Sequence, residues 1–115
     1  MNTEAYTLGQ QIVKVIEKKK VLKVEALDVH ELTSLADLFI ISEANNVRLT
    51  QALADEIEEI LSEAGYEPVH KEGYQSATWI LLDYGQVIVH ILEEENAHFY
   101  GLDRLWKDAP IIAFK

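Results

Sequence analysis

Apolar positions recur along this chain in two rhythms. Over residues 3 to 18, Leu8, Ile12, Val15 and Ile16 return at helical spacing, with Thr3 placed to cap and Glu4 in the first turn. Residues 21 to 29 are rich in Val and Leu and predict a strand. Residues 30 to 35 read as a polar connection. Leu38-Phe39-Ile40-Ile41-Ser42 predicts a short buried strand. Glu43-Ala44-Asn45-Asn46 then forms a loop ending in a good helix cap. From 47 to 64 the helical rhythm is clearest, with Leu49, Leu53, Ile57, Ile60, Leu61 and Ala64 as the apolar stripe and Gly65 as the stop. Residues 68 to 72 predict a further strand ended by Gly73.

The most informative stretch runs from Trp79 to Leu92. Two apolar runs flank Asp83-Tyr84-Gly85-Gln86, which predicts a tight hairpin. Both runs are apolar on successive residues, so both sheet faces are expected to be covered. Glu93-Glu94-Glu95-Asn96 caps a last helical segment over 97 to 106, and Pro110 forbids its continuation. Residues 111 to 114 form an edge strand or a packed tail. The order is helix, strand, strand, helix, three strands, helix, with no linker or repeat. It predicts one α/β domain over 1–115, a mixed sheet of four to five strands layered with helices. Helix 47 to 64 permits a right-handed crossover if the strands it joins are parallel.

Composition narrows the classes. The chain has 115 residues, is 49% hydrophobic and has no cysteine, which removes disulfides, thiolate metal sites and a Cys nucleophile. No apolar run is long enough to span a bilayer, and the N-terminus lacks a signal-peptide pattern, so a cytoplasmic protein without a membrane partner is expected. The formal net charge of −10 opposes a direct grip on a phosphate backbone and suits a basic partner. Lys18-Lys19-Lys20, the basic cluster, sits where cations favour a helix C-terminus.

Chemistry finds little purchase. No GxxxxGKS, GxGxxG or HExxH occurs, and no cofactor or metal is called for. His30, His70, His90 and His98 lack i, i+4 pairing, although His70 and His90 could meet across neighbouring strands. Asp83 at a strand end, and Glu72, Asp28 and Asp37, are carboxylate candidates for acid–base work, but no strand carries an Asp-x-Asp pair and Asp83 reads better as a turn residue holding backbone N–H groups. No serine sits in a nucleophile elbow. The aromatics stand out instead. Trp79, Tyr84, Phe99, Tyr100 and Trp106 crowd one region, where core packing and interface anchoring compete as explanations. Segment 97 to 106 carries more large apolar groups than one small sheet can bury, and an exposed apolar patch marks a binding site.

These residues carry a resemblance. Trp79-x-x-x-Asp83-Tyr84-Gly85-x-Val87-Ile88-Val89-His90 is followed by Phe99-Tyr100-x-Leu102-Asp103-x-Leu105-Trp106-x-Asp108-Ala109-Pro110. Upstream stand Ala26-Leu27-Asp28-Val29, Asp37-x-Phe39-Ile40-Ile41, Arg48-x-x-Gln51-Ala52-x-Ala54-Asp55 and Glu72-Gly73. Together they resemble the ribosomal silencing factor, or Iojap, family. Ser42-Glu43-Ala44-Asn45-Asn46 replaces that family's Ser-Gly segment, and Ala97-His98 stands where it has Arg.

The resemblance implies a nucleotidyltransferase-like fold without catalytic residues, and a protein that is not an enzyme. It implies docking on a basic protein of the large ribosomal subunit's inter-subunit face, the one numbered fourteen. Small-subunit joining is then blocked and translation repressed under starvation, and the free protein is a homodimer. Carried over by position, the docking surface comprises Trp79, Leu81, Asp83, Tyr84, Gly85, Val89, His90, Phe99, Tyr100, Leu102, Leu105 and Trp106. The alternative is a diverged magnesium-dependent nucleotidyl- or phosphotransferase using Asp83 and Glu72.

Overall fold

Alternation of buried side chains on β-strands and their helical recurrence on two helices sort this chain into layers. The computed structural model describes residues 3–95 and 107–114. Its elements are α1 (Thr3–Glu17), β1 (Lys23–Asp28), β2 (Leu38–Ala44), α2 (Val47–Glu63), β3 (His70–Glu72), β4 (Trp79–Asp83) and β5 (Val87–Glu93). The expected segment 97 to 106 lies outside the described residues.

α2 begins and ends as local chemistry dictates, while Thr3, expected to cap α1, is its first helical residue. Asn46, in extended conformation, accepts the Leu49 N–H at 2.8 Å and caps α2. At its other end Gly65, with φ of +93°, donates to Ser62 O at 3.0 Å while Tyr66 N–H reaches Leu61 O at 2.8 Å. That pair of bonds is a Schellman motif, and only glycine takes its positive φ without strain. The buried stripe of α2 is Thr50, Leu53, Ala54, Ile57 and Leu61. Ala64, expected in the stripe, is the exposed C-cap, because the chain leaves the helix there. In α1, Gly9 lets the helix close on the sheet: a Cβ there would stand 2.7 Å from Leu38 Cδ1.

The five strands lie in the order β1-β2-β5-β4-β3. β2 and β5 are parallel, and the β1–β2, β4–β5 and β3–β4 pairs are antiparallel. Two reversals from β5 make β3 parallel to β2, as the crossover through α2 requires. The tail adds a single bridge, Leu27↔Ile111, flanked by Asp28 N–H to Pro110 O and Ile112 N–H to Ala26 O, both 2.8 Å. Phe114 then meets the Tyr6 ring edge-on at 4.9 Å.

Each strand divides its side chains between two faces. Toward α1 and α2 point Ala26, Leu38, Ile40, Ile80, Leu82, Val87, Val89 and Ile91, which form one core with the helix stripes. The second face gathers Leu27, Val29, Ala36, Phe39, Ile41, Ile88, Leu92 and Ala109, with Trp79 and Leu81 packed against them. All seven residues of β5 are buried, as its continuous apolar run predicts. β4 departs from that expectation. Ile80 and Leu82 are buried, while Trp79, Leu81 and Asp83 on the second face stay half-exposed. The cause is position: β4 is flanked outside only by the three-residue, fully exposed β3.

The loop between β3 and β4 is strapped to α2. Thr50 Oγ1 lies 2.7 Å from Ala77 O, Gln51 Nε2 donates to Tyr74 O at 2.9 Å, and Tyr74 donates its hydroxyl to Asp55 at 3.0 Å. Gly73, with φ of +79°, opens this loop, and a Cβ on it would stand 2.0 Å from the Trp79 carbonyl oxygen. Gly73→Ala is therefore expected to lower unfolding free energy by about 3 kcal/mol, from positive φ and backbone overlap together. Gly85→Ala, where φ is also positive but the space is open, should cost only about 1 kcal/mol. Urea unfolding followed by circular dichroism compares the two.

Candidate docking face

Alternation along β4 sends Trp79, Leu81 and Asp83 to the second face of the sheet, and the register places Leu81 beside His90 of β5. Trp79 sits diagonally from His90, close enough for its indole Nε1–H to donate to His90 Nδ1 at 3.1 Å. Phe39 closes on the same imidazole edge-on, with ring centroids 4.9 Å apart. An indole nitrogen only donates, so Nδ1 accepts and the ring proton resides on Nε2. That Nε2 is buried and finds no partner among the described residues. His90 is 5% exposed, and burial pushes its pKa down to about 4. The centre of this face is thus neutral near pH 7.

The turn closes through its carboxylate. Asp83 Oδ1 accepts the Gly85 N–H at 2.7 Å, and Tyr84 N–H reaches Val87 O at 2.9 Å. Gly85 is exposed with φ of +86°. Asp83 therefore serves the turn, as its sequence context indicated. Across from β4, His70 faces Asp83 and Glu72 faces Leu81, with His70 Nε2 and Glu72 Oε2 3.3 Å apart. Leu81 is an apolar half-buried residue between two carboxylate-bearing positions.

Besides the buried His90, two residues placed on the surface by position turn to the other side of the sheet. Val89 is fully buried on the helix side, because residues adjacent on a strand point to opposite faces. Tyr84 turns its ring into the same helix-side core, where burial holds its hydroxyl far above the ordinary phenol range. Phe99, Tyr100, Leu102, Leu105 and Trp106 lie outside the described residues. His70 and His90 do not meet, since β4 runs between their strands. Among the described residues no three His, Asp or Glu side chains converge as a metal ion would need, and no helix is long and apolar enough to cross a membrane.

Among the described residues, two helices on one face of a mixed five-stranded sheet define the class, an α/β fold whose other face carries the Trp79–Leu81–His90 group. The family model described as "Ribosomal silencing factor during starvation" matches residues 2–115, and the chain belongs to that family. It is 36% identical to the ribosomal silencing factor RsfS of Halalkalibacterium halodurans, over 91% of this chain and 90% of that one. A crystal structure of a Chromobacterium violaceum protein superposes with a TM-score of 0.85 at 30% identity, covering 93% of this chain and 88% of that one. A Bacillus halodurans crystal structure gives 0.81 at 32% identity, over 98% and 100%. The family places this chain in ribosome-associated translation regulation.

The neutral His90 makes stability pH-dependent. Its folded pKa lies below the ordinary 6.5, so the unfolded chain binds the proton first and stability is lost as pH falls from about 6.5 toward 4. Wild type should lose about 2 kcal/mol more than His90→Leu between about pH 7 and pH 5, in urea titrations at both values. Trp79→Phe, which strands Nδ1 without its donor, is expected to cost about 1–2 kcal/mol at about pH 7.

Proposed function

We propose that this protein represses translation by binding the large ribosomal subunit through a basic protein of its inter-subunit face and sterically blocking the small subunit. The observation that carries the reading is the row Trp79, Leu81, Asp83 on an outward strand, with Glu72 beside Leu81 and His90 beneath. An apolar centre excludes water from a contact, and carboxylates at its rim steer a basic partner into register. The net charge of −10 supports the same partner chemistry and disfavours direct strong nucleic-acid binding. Family membership supports the ribosome as the target.

Occlusion needs no covalent step, so the protein acts as a regulator and not as an enzyme, in the cytoplasm, under starvation. The free chain is a homodimer. The docking residues are Trp79, Leu81, Asp83 and Gly85, with the buried His90 holding Trp79 in place, joined on sequence grounds by Phe99, Tyr100, Leu102, Leu105 and Trp106. The transferase alternative has no comparable support, since Asp83 is engaged by its own turn.

Sedimentation with separated subunits tests this. The protein should travel with the large subunit and reduce the fraction of joined ribosomes when small subunits are added. Leu81→Ala should weaken co-migration about tenfold, the affinity equivalent of one side chain's apolar area. A protein that stays at the top of the gradient with large subunits present would sink the reading.

A further inference from the structure

The connection between β1 and β2 is tied down by hydrogen bonds, yet two of its leucines face solvent. Leu35 is 71% exposed and Leu32 48% exposed. The loop is held throughout its length. Leu32 and Thr33 N–H both bond Val29 O, at 2.9 and 3.0 Å, and Leu35 N–H bonds Thr33 Oγ1 at 3.1 Å. Val29 N–H bonds Asp37 O at 2.9 Å, and Val29 and Ala36 are buried in the second-face cluster. The loop presents its leucines from a fixed scaffold, which removes the ordering cost that makes exposed loop contacts weak.

Two further facts orient this surface. Asp37 and Leu38 N–H both donate to Gln86 O, at 2.8 and 3.1 Å, so the loop is clamped to the Asp83–Gln86 turn beside the docking face. A groove of about 280 Å³ opens next to Leu32, lined also by Asp28, His30, Glu31, Asp108 and Pro110. Leu32 on this acidic groove, with Leu35 exposed three residues on, complements a surface that alternates aliphatic side chains with lysine or arginine.

We infer that loop 29–37 is a second half of the docking surface, in which Leu32 and Leu35 pack on apolar side chains of the same basic large-subunit partner. The inference rests on the docking reading given above and extends it from the sheet face around the end of the sheet.

The test is sedimentation of the full chain with purified large subunits. Leu35→Ser and Leu32→Ser/Leu35→Ser are compared with wild type and with Leu22→Ser. Leu22 is 54% exposed at the opposite end of the sheet, where its N–H bonds Glu43 O. The double variant is expected to bind at least tenfold more weakly, Leu35→Ser several-fold, and Leu22→Ser as wild type, all with unchanged thermal midpoints. If the double variant unfolds, Leu35→Ser alone decides. Wild-type binding that both loop variants retain overturns the inference and leaves the docking reading standing. Equal loss in Leu22→Ser also overturns it, by showing undirected stickiness. A wild type that does not bind large subunits removes the docking reading, and this inference with it.

Discussion

The parallel pairing of β2 with β5 is the constraint on which the rest depends. Seven residue pairs join them, from Leu38↔Val87 to Ala44↔Glu93, at the centre of the sheet. Parallel neighbours cannot be joined by a tight turn, so the chain must leave β2, cross a face and return. It does so through α2, β3 and β4, and each consequence follows from that route. α2 is laid on the face where α1 already packs. β3 is carried to the far edge, and β4 drops between it and β5. The central strand is thereby buried throughout, while its hairpin partner keeps one half-open face.

Much of this was legible in the chain, for local reasons. Asn46 and Gly65 announce the ends of α2 by capping chemistry that operates within a few residues. The 79–92 hairpin declares itself by two apolar runs around a turn, and its register follows from the turn. What was not legible depended on direction. Val89 and His90 are adjacent in the chain and opposite in space, so a contiguous motif cannot all face one partner. Tyr84 belongs to a turn, yet its ring folds back under α2. The Trp79–His90 bond is diagonal across two strands and needs the register before it can be seen.

The loop at 29–37 shows a different limit. By composition it is a polar connection, and most of its side chains are exposed as such loops are. Its leucines carry no periodic signal, because a loop imposes none. Only the folded backbone shows that the loop is hydrogen-bonded at Val29, Leu32, Thr33 and Asp37 while Leu32 and Leu35 stay exposed. The signal available in the sequence was modest: two leucines in a segment with no strand or helix to bury them.

A docking face must be stiff before it meets its partner, or binding is weakened by the freedom it removes. On the face proposed for docking, Trp79 and His90 brace one another across β4 and β5. A hydrogen-bonded indole–imidazole pair has one arrangement, whereas apolar side chains of equal size have several, and Phe39 against the imidazole narrows the choice further. The cost is a buried Nε2–H that no described residue accepts, which an apolar residue in place of His90 would avoid. Stability alone therefore does not account for a histidine here. It fixes the tilt of the indole, which lies along β4 beside Leu81 on the same face, with Asp83 and Glu72 as Leu81's carboxylate-bearing neighbours. The polar pair holds the apolar centre of this face in one arrangement, and the carboxylates of Asp83 and Glu72 flank it, the sign that the proposed basic partner requires.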